Sequence, residues 1–284
     1  MEQRPPKVIA VKDPEEQYLN KSGLPPVHPH LPQIEGYGGG ACLLMISPVK
    51  TGKSTIINNL LLNSEFYDAQ ERFDSTHIIS NTIANDVTSR FLKEAFDTHD
   101  QYNDSIIDGI VERQKQFEKE DQPEIAVVID DCLGSIKREG RVNHLASRFR
   151  HFNIKLLIIS SQNFRAVSPI IRQNATNVIV GSPFPNRKEL LKIAEEYGDL
   201  FGGSEKWIAL YKRATPSRYE FIHMDLQANP PIMYKNFDEV IAVGENDTIG
   251  ISEKDIVEED KKLSDKNAKE KLKKDNVEEN VESK

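Results

Sequence analysis

Residues 41–55, Ala-Cys-Leu-Leu-Met-Ile-Ser-Pro-Val-Lys-Thr-Gly-Lys-Ser-Thr, constrain this chain more than any other stretch. The apolar run Ala41–Ile46 has the length and composition of a buried strand, and a helical pattern follows over residues 55–62. Between them lies a tight loop ending Gly52-Lys53-Ser54. Strand, loop and helix in this order form a phosphate-binding site, because loop N–H groups and the helix N-terminus converge on one anion. Gly52 permits close backbone approach, Lys53 reaches the outer phosphates and Ser54 can bind Mg²⁺. The nucleotide-binding candidates are Ser47, Pro48, Val49, Lys50, Thr51, Gly52, Lys53, Ser54 and Thr55. One departure stands out: Ser47 occupies the loop's opening position, ordinarily glycine, and a serine tolerates left-handed dihedrals less well.

The rest of the chain reads as one large α/β domain with polar ends. It has 284 residues, no apolar stretch of membrane-spanning length and no signal-peptide pattern at its N-terminus. These features point to a cytoplasmic protein without a membrane partner. Cys42 and Cys132 flank expected strands and read as small core residues in a reducing compartment. Net charge is −8, half of it in residues 245–284, where 13 acidic residues meet 9 basic ones. Such a segment cannot pack a core, so a disordered or solvated tail is expected there. Residues 1–37 carry seven prolines and read as an extended arm, leaving 38–244 as the folded domain.

Within 38–244, strand-like and helix-like segments alternate, the pattern of a mainly parallel sheet in a three-layer α/β core. Strands are expected at 76–80, 125–129, 154–159 and 177–180. Helices are expected at 86–96, 105–119, 141–150, 168–174 and 187–197. Residues 207–212 and 218–223 resemble a late β-hairpin turning at Thr215-Pro216-Ser217.

Two strand ends carry chemistry. Asp130-Asp131 follows the run 125–129, at the carboxyl end of a parallel strand where such sheets bind ligands. Asp130 suits Mg²⁺ and Asp131 can polarise a water. The run 154–159 ends in Ser160-Ser161-Gln162-Asn163. Gln162 can donate to a terminal phosphate and orient water; Ser160 and Asn163 are weaker candidates.

These segments, with Pro169-Ile-Ile-Arg-Gln-Asn174 and Phe73-Asp74, resemble the viral genome-packaging ATPases of the FtsK–HerA superfamily, of the poxvirus, giant-virus and virophage type. The resemblance covers roughly residues 38–225. It implies a P-loop NTPase of the additional-strand type that hydrolyses ATP and pumps double-stranded DNA into a preformed capsid. It also implies a homo-oligomeric ring, a capsid or packaging-vertex partner, and location in the host-cell cytoplasm or viral factory, or with the virion. By motif position Gly52, Lys53 and Ser54 bind nucleotide, Ser54 and Asp130 hold Mg²⁺, Asp131 is the catalytic acid and Gln162 the sensor. Ring motors complete their sites with an arginine from a neighbouring subunit; Arg172 is the first candidate, with Arg148 and Arg150 as rivals. A basic cluster of Lys137, Arg138, Arg141, Arg148, Arg150 and Lys155, interrupted only by Glu139, is a candidate DNA contact or else a solvated face. His144 and His151 lack metal-ligand partners and read as surface residues. Two alternatives remain: a cellular motor for conjugation or partition, and an ATP-binding switch with little turnover.

Overall fold

A computed structural model describes residues 24, 27–35, 39–84, 86, 88–134 and 140–244. The expected tail, most of the expected arm, and Lys137, Arg138 and Glu139 lie outside the described residues. A nine-stranded sheet forms the middle layer. In chain order its strands are β1 (Ala41–Ile46), β2 (Ser75–Ser80), β3 (Asp97–His99), β4 (Ile125–Asp130), β5 (Ile154–Ser161), β6 (Asn177–Gly181), β7 (Phe221–Asp225), β8 (Ile232–Lys235) and β9 (Glu239–Val243). Their spatial order is β3-β2-β4-β5-β1-β6-β7-β8-β9. The first six are parallel; β7, β8 and β9 continue the sheet antiparallel.

Helices cover both faces, which explains the near-continuous apolar strands. On one face α1 (Lys53–Leu62), α2 (Ala69–Arg72) and α3 (Arg90–Ala95) bury Leu60, Leu61, Ala69 and Leu92 against Leu43, Met45, Val128 and Ile158. On the other, α4 (Asp104–Gln114), α5 (Arg141–Arg148), α6 (Pro169–Asn174), α7 (Arg187–Tyr197) and α8 (Ser204–Ala214) pack on Leu44, Ile46, Val127, Ile129, Leu157 and Ile159. Strand periodicity sorts these two sets, since alternate side chains point to opposite faces.

Three differences from the sequence reading have physical causes. Residues 207–212 are not a strand but part of α8, because Trp207, Leu210, Tyr211 and Ala214 fall at helical spacing and form one buried stripe. The late antiparallel set is therefore β7–β9. Strand β3 escaped notice because Asp-Thr-His has no apolar signal; it is held at the sheet edge where His77 Nδ1 meets Asp97 Oδ2 at 3.1 Å. The proline-rich stretch assigned to the arm packs onto the domain in its described part: Val27, Leu31 and Ile34 are buried with the α1 layer. Tyr67 Oη donates to Pro32 O at 2.6 Å, Arg72 pairs with Glu35 at 2.7 Å, and His30 Nδ1 meets Phe237 O at 2.7 Å. Apolar side chains between the prolines supply the burial that composition alone obscured.

Candidate active site

The site begins where β1 stops. Ser47 N–H donates to Ser161 O at 3.0 Å, so the loop leaves the sheet still tied to β5. Lys50 and Gly52 adopt the left-handed conformation, with φ of 60° and 91°. Ser47 is outside that region, so the expected dihedral conflict does not arise. Its hydroxyl bonds Thr51 Oγ1, which also donates to Pro48 O at 2.6 Å, closing the loop from within. Gly52 caps α1, and Lys53 opens it with a buried side chain.

Strand β5 lies between β1 and β4, and this insertion arranges the chemistry. In register, Ser80 of β2, Asp130 of β4, Ser160 of β5 and Met45 of β1 form one row across the sheet. Parity places that row on the α1 face, beneath Lys53. Ser80 Oγ donates to Asp130 Oδ2 at 2.9 Å, and Ser160 Oγ bonds Asp130 Oδ1. Asp131 then turns out of the strand with φ of 52°, its N–H donating to Ser160 Oγ at 3.2 Å. Its carboxylate pairs with Lys53 Nζ and accepts from Gln162 Nε2 at 3.1 Å. Lys53 Nζ is also 3.7 Å from Asp130 Oδ1. The ends of β1, β4 and β5 thus bring Lys53, Asp130, Asp131 and Gln162 together. Though paired with carboxylates, the buried Lys53 ammonium makes no aligned hydrogen bond, so it has donors to spare for an anionic ligand.

A cleft of about 490 Å³ opens above this cluster. Loop residues Pro48, Val49, Lys50, Gly52, Lys53, Ser54 and Thr55 form one wall; Asp131 and Gln162 line its floor. The size and the donor set fit a nucleoside triphosphate, with backbone N–H groups and Lys53 for phosphate and the Ser54 hydroxyl for its Mg²⁺. Asp130, the other expected cation ligand, lies buried outside the cleft lining, its carboxylate held by Ser80 and Ser160. Ser47 and Thr51 are buried beneath the loop and shape it from below. Thr82, Asp86, Thr88, Arg218 and Tyr219 complete the lining and were not among the sequence candidates. Burial disfavours ionised Asp86, yet hydrogen bonds from Ser54, the Thr88 backbone and Ser89 outweigh it and lower its pKa. Ser160, the weaker candidate, proves central. Parallel register makes it the neighbour of Asp130, and no local pattern in the sequence signals that.

Other candidates sit elsewhere. Arg172 is not brought to the cleft within one chain: it pairs with Glu196 at 2.7 Å and stacks 4.9 Å from the Phe164 ring centre. Arg148 and Arg150 are exposed at the far end of α5, the latter over Phe149. In the described part of the basic cluster, Arg141 and Arg148 are the first and last residues of α5, Arg150 lies in the turn after it and Lys155 on β5, with Arg141 paired to Asp108 and Lys155 to Glu124. His144 and His151 are exposed. Cys42 and Cys132 are free and buried, and burial pushes both thiols up to about 12, so neither is a nucleophile here.

No protein-family model matches the chain. Uncharacterized protein 015R of Frog virus 3 (isolate Goorha) is 27% identical over 169 residues, 57% of this chain and 50% of its own length. Uncharacterized protein 075L of Invertebrate iridescent virus 6 is 27% identical over 146 residues, 50% of this chain and 54% of its own. The chain thus spans about half the length of the curated relatives it matches. Among solved structures, the genome packaging NTPase B204 of Sulfolobus turreted icosahedral virus 2, in complex with AMP, superposes with a TM-score of 0.50 at 19% identity. That match covers 70% of this chain and 97% of that one. B204 of Sulfolobus Turreted Icosahedral Virus, described as a DNA-packaging ATPase, gives 0.52 at 17% identity, over 69% of this chain and 96% of its own. The resemblance seen in the sequence is therefore matched in three dimensions: this chain is built on the P-loop ATPase fold of the viral genome-packaging NTPase B204.

Proposed function

We propose that the chain hydrolyses ATP to drive double-stranded DNA into a preformed capsid, working as a homo-oligomeric ring. The observation that carries this reading is the Lys53–Asp131–Gln162 cluster, set on adjacent strand ends beside the phosphate loop. The B204 fold supports it, and so do the viral relatives. A capsid or packaging-vertex protein is the implied partner, and the host-cell cytoplasm or viral factory the implied location. Among the described residues no helix is long and apolar enough to cross a membrane.

Bound Mg²⁺ would neutralise developing phosphate charge. Ser54 and Asp130 would hold it, with Ser80 and Ser160 orienting the Asp130 carboxylate. Lys53 masks Asp131 in the described structure. Turning to a phosphate, it would leave that carboxylate free to take a proton from water, with Gln162 still holding one oxygen. Arg172 would act only across a subunit interface, after exchanging Glu196 for a phosphate. DNA contact falls to exposed arginines such as Arg148 and Arg150, through phosphates and without base reading.

The test is Mg²⁺-dependent ATP turnover with and without double-stranded DNA. Lys53→Ala should abolish it. Asp131→Asn should bind ATP yet lose about 10²-fold or more in turnover, the usual contribution of a positioned base. Wild-type turnover in Asp131→Asn would overturn the catalytic assignment, and indifference to DNA would favour an ATP-driven role on another substrate.

A further inference from the structure

Tyr219 is out of place by ordinary rules. It stands just before β7, at a loop tip, with φ of 73°. Glycine and asparagine adopt that conformation readily, whereas a bulky aromatic does so rarely, and such outliers gather at functional sites. Here the backbone is held by its own N–H, which donates to Ser182 O at 3.3 Å beyond the end of β6. The side chain is 60% exposed although it is large and largely apolar.

The ring is aimed at the phosphate loop. A Cβ built on Gly52 would lie 3.4 Å from Tyr219 Cδ1 and 3.8 Å from its Cβ, so the ring rests against the glycine that precedes Lys53. Arg218 places its guanidinium 5.5 Å from the ring centre. Both residues line the phosphate-loop cleft, as does Val49, itself 63% exposed. The cleft therefore holds two kinds of surface. Lys53 in the wall and Asp131 and Gln162 on the floor make one surface charged and polar, while Tyr219 and Val49 present apolar surface at the rim. A phosphate chain needs the first and has no use for the second; an aromatic base needs the second.

We infer that Tyr219 is the stacking platform for the base of the bound nucleotide, with Arg218 stiffening the ring and Val49 adding apolar surface. The inference rests on the phosphate-loop reading above and adds a base subsite to it. Stacking on an aromatic face is tolerant of base identity, so the platform supplies affinity and orientation rather than choice among bases. It also ties nucleotide occupancy to the loop before β7, a segment outside the phosphate-loop motif.

The test is calorimetric titration of the full chain, in Mg²⁺, with the non-hydrolysable analogue AMPPNP and with inorganic tripolyphosphate, which lacks a base. Tyr219→Asn keeps a residue at ease with positive φ while removing the ring. It should weaken AMPPNP binding about tenfold or more, the usual worth of one stacked base, and leave tripolyphosphate binding unchanged. Tyr219→Phe should bind both ligands as the wild type does. Unchanged AMPPNP affinity in Tyr219→Asn overturns the platform, and so does a parallel loss for both ligands, which would mean the ring only props the loop. Wild-type chain that binds neither ligand, or Lys53→Ala that binds both as well as wild type, overturns the phosphate-loop reading as well.

Discussion

Ser47 stands where a phosphate loop ordinarily opens with glycine, and the molecule absorbs it by putting glycine somewhere else. Gly181, at the end of β6, faces it directly: a Cβ there would overlap Ser47 Oγ and come within 3.0 Å of Ser47 Cβ. The space a loop glycine would have left is supplied by the neighbouring strand, and the serine hydroxyl is spent on Thr51. Gly181→Ala should therefore destabilise the fold by about 1–3 kcal/mol through overpacking. Ser47→Gly in the same chain should recover most of that loss, read from urea unfolding midpoints. An equal cost of Gly181→Ala in both backgrounds would show that Ser47 is not what the extra methyl meets. Ser160 makes a similar point about what can be read in advance. Lys53, Asp131 and Gln162 announce themselves by motif, but Ser80 and Ser160 matter only because parallel register sets them on either side of Asp130. No local pattern carries that fact.

At the level of elements, the parallel strands were legible because helices cover both faces and leave uninterrupted apolar runs: Ala41–Ile46 and Ile125–Ile129 are buried at every position. Helix α7 was equally clear, with Asn186 accepting from the N–H groups of Lys188 and Glu189 as a cap. The reading failed at α8, where Trp, Ile, Leu and Tyr suggested strand composition while the buried positions repeated at helical spacing. It also failed at β3, which is too short and polar to signal anything. The antiparallel set brings its own expectation. His223 on β7 is fully buried, its Nε2 3.1 Å from Asn177 Nδ2 and its ring stacked 5.4 Å from that of Tyr234. Burial pushes its pKa down to about 3, with the nearby His30 adding a smaller effect in the same direction and a hydrogen bond opposing it. The unfolded chain takes up that proton near pH 6.5, and the folded chain does not until far lower. Stability should therefore fall as pH drops below 6.5, by about 1.4 kcal/mol per unit, or about 2 kcal/mol by pH 5. Burial lowers His77 in the same direction. Urea midpoints at pH 7 and pH 5 give the measurement. His223→Gln should flatten the dependence, and an unaltered slope in that variant would assign it to other groups.

For the whole molecule, the stretch 27–35 works as a strap across one layer, joining α2 to the turn between β8 and β9. Leu31 is 2% exposed within that contact. Leu31→Ala should cost about 2–5 kcal/mol, as for other large-to-small core changes, with midpoint denaturation as the measure. A cost below about 0.5 kcal/mol, the range of ordinary surface substitutions, would mean the strap is a passive covering. The same strap has a temporal consequence. His30 meets the backbone of Phe237, 207 positions further along the chain. Contacts of such separation close slowly, because an enormous loop must be pinned before the contact contributes. A ribosome building this chain from its N-terminus delivers residue 30 long before its partner exists. The apolar side chains of the strap then wait without the last part of their seat, and the layer can close only after the final hairpin has emerged. Folding of this domain is therefore completed only after β9 has been made, not strand by strand along the way.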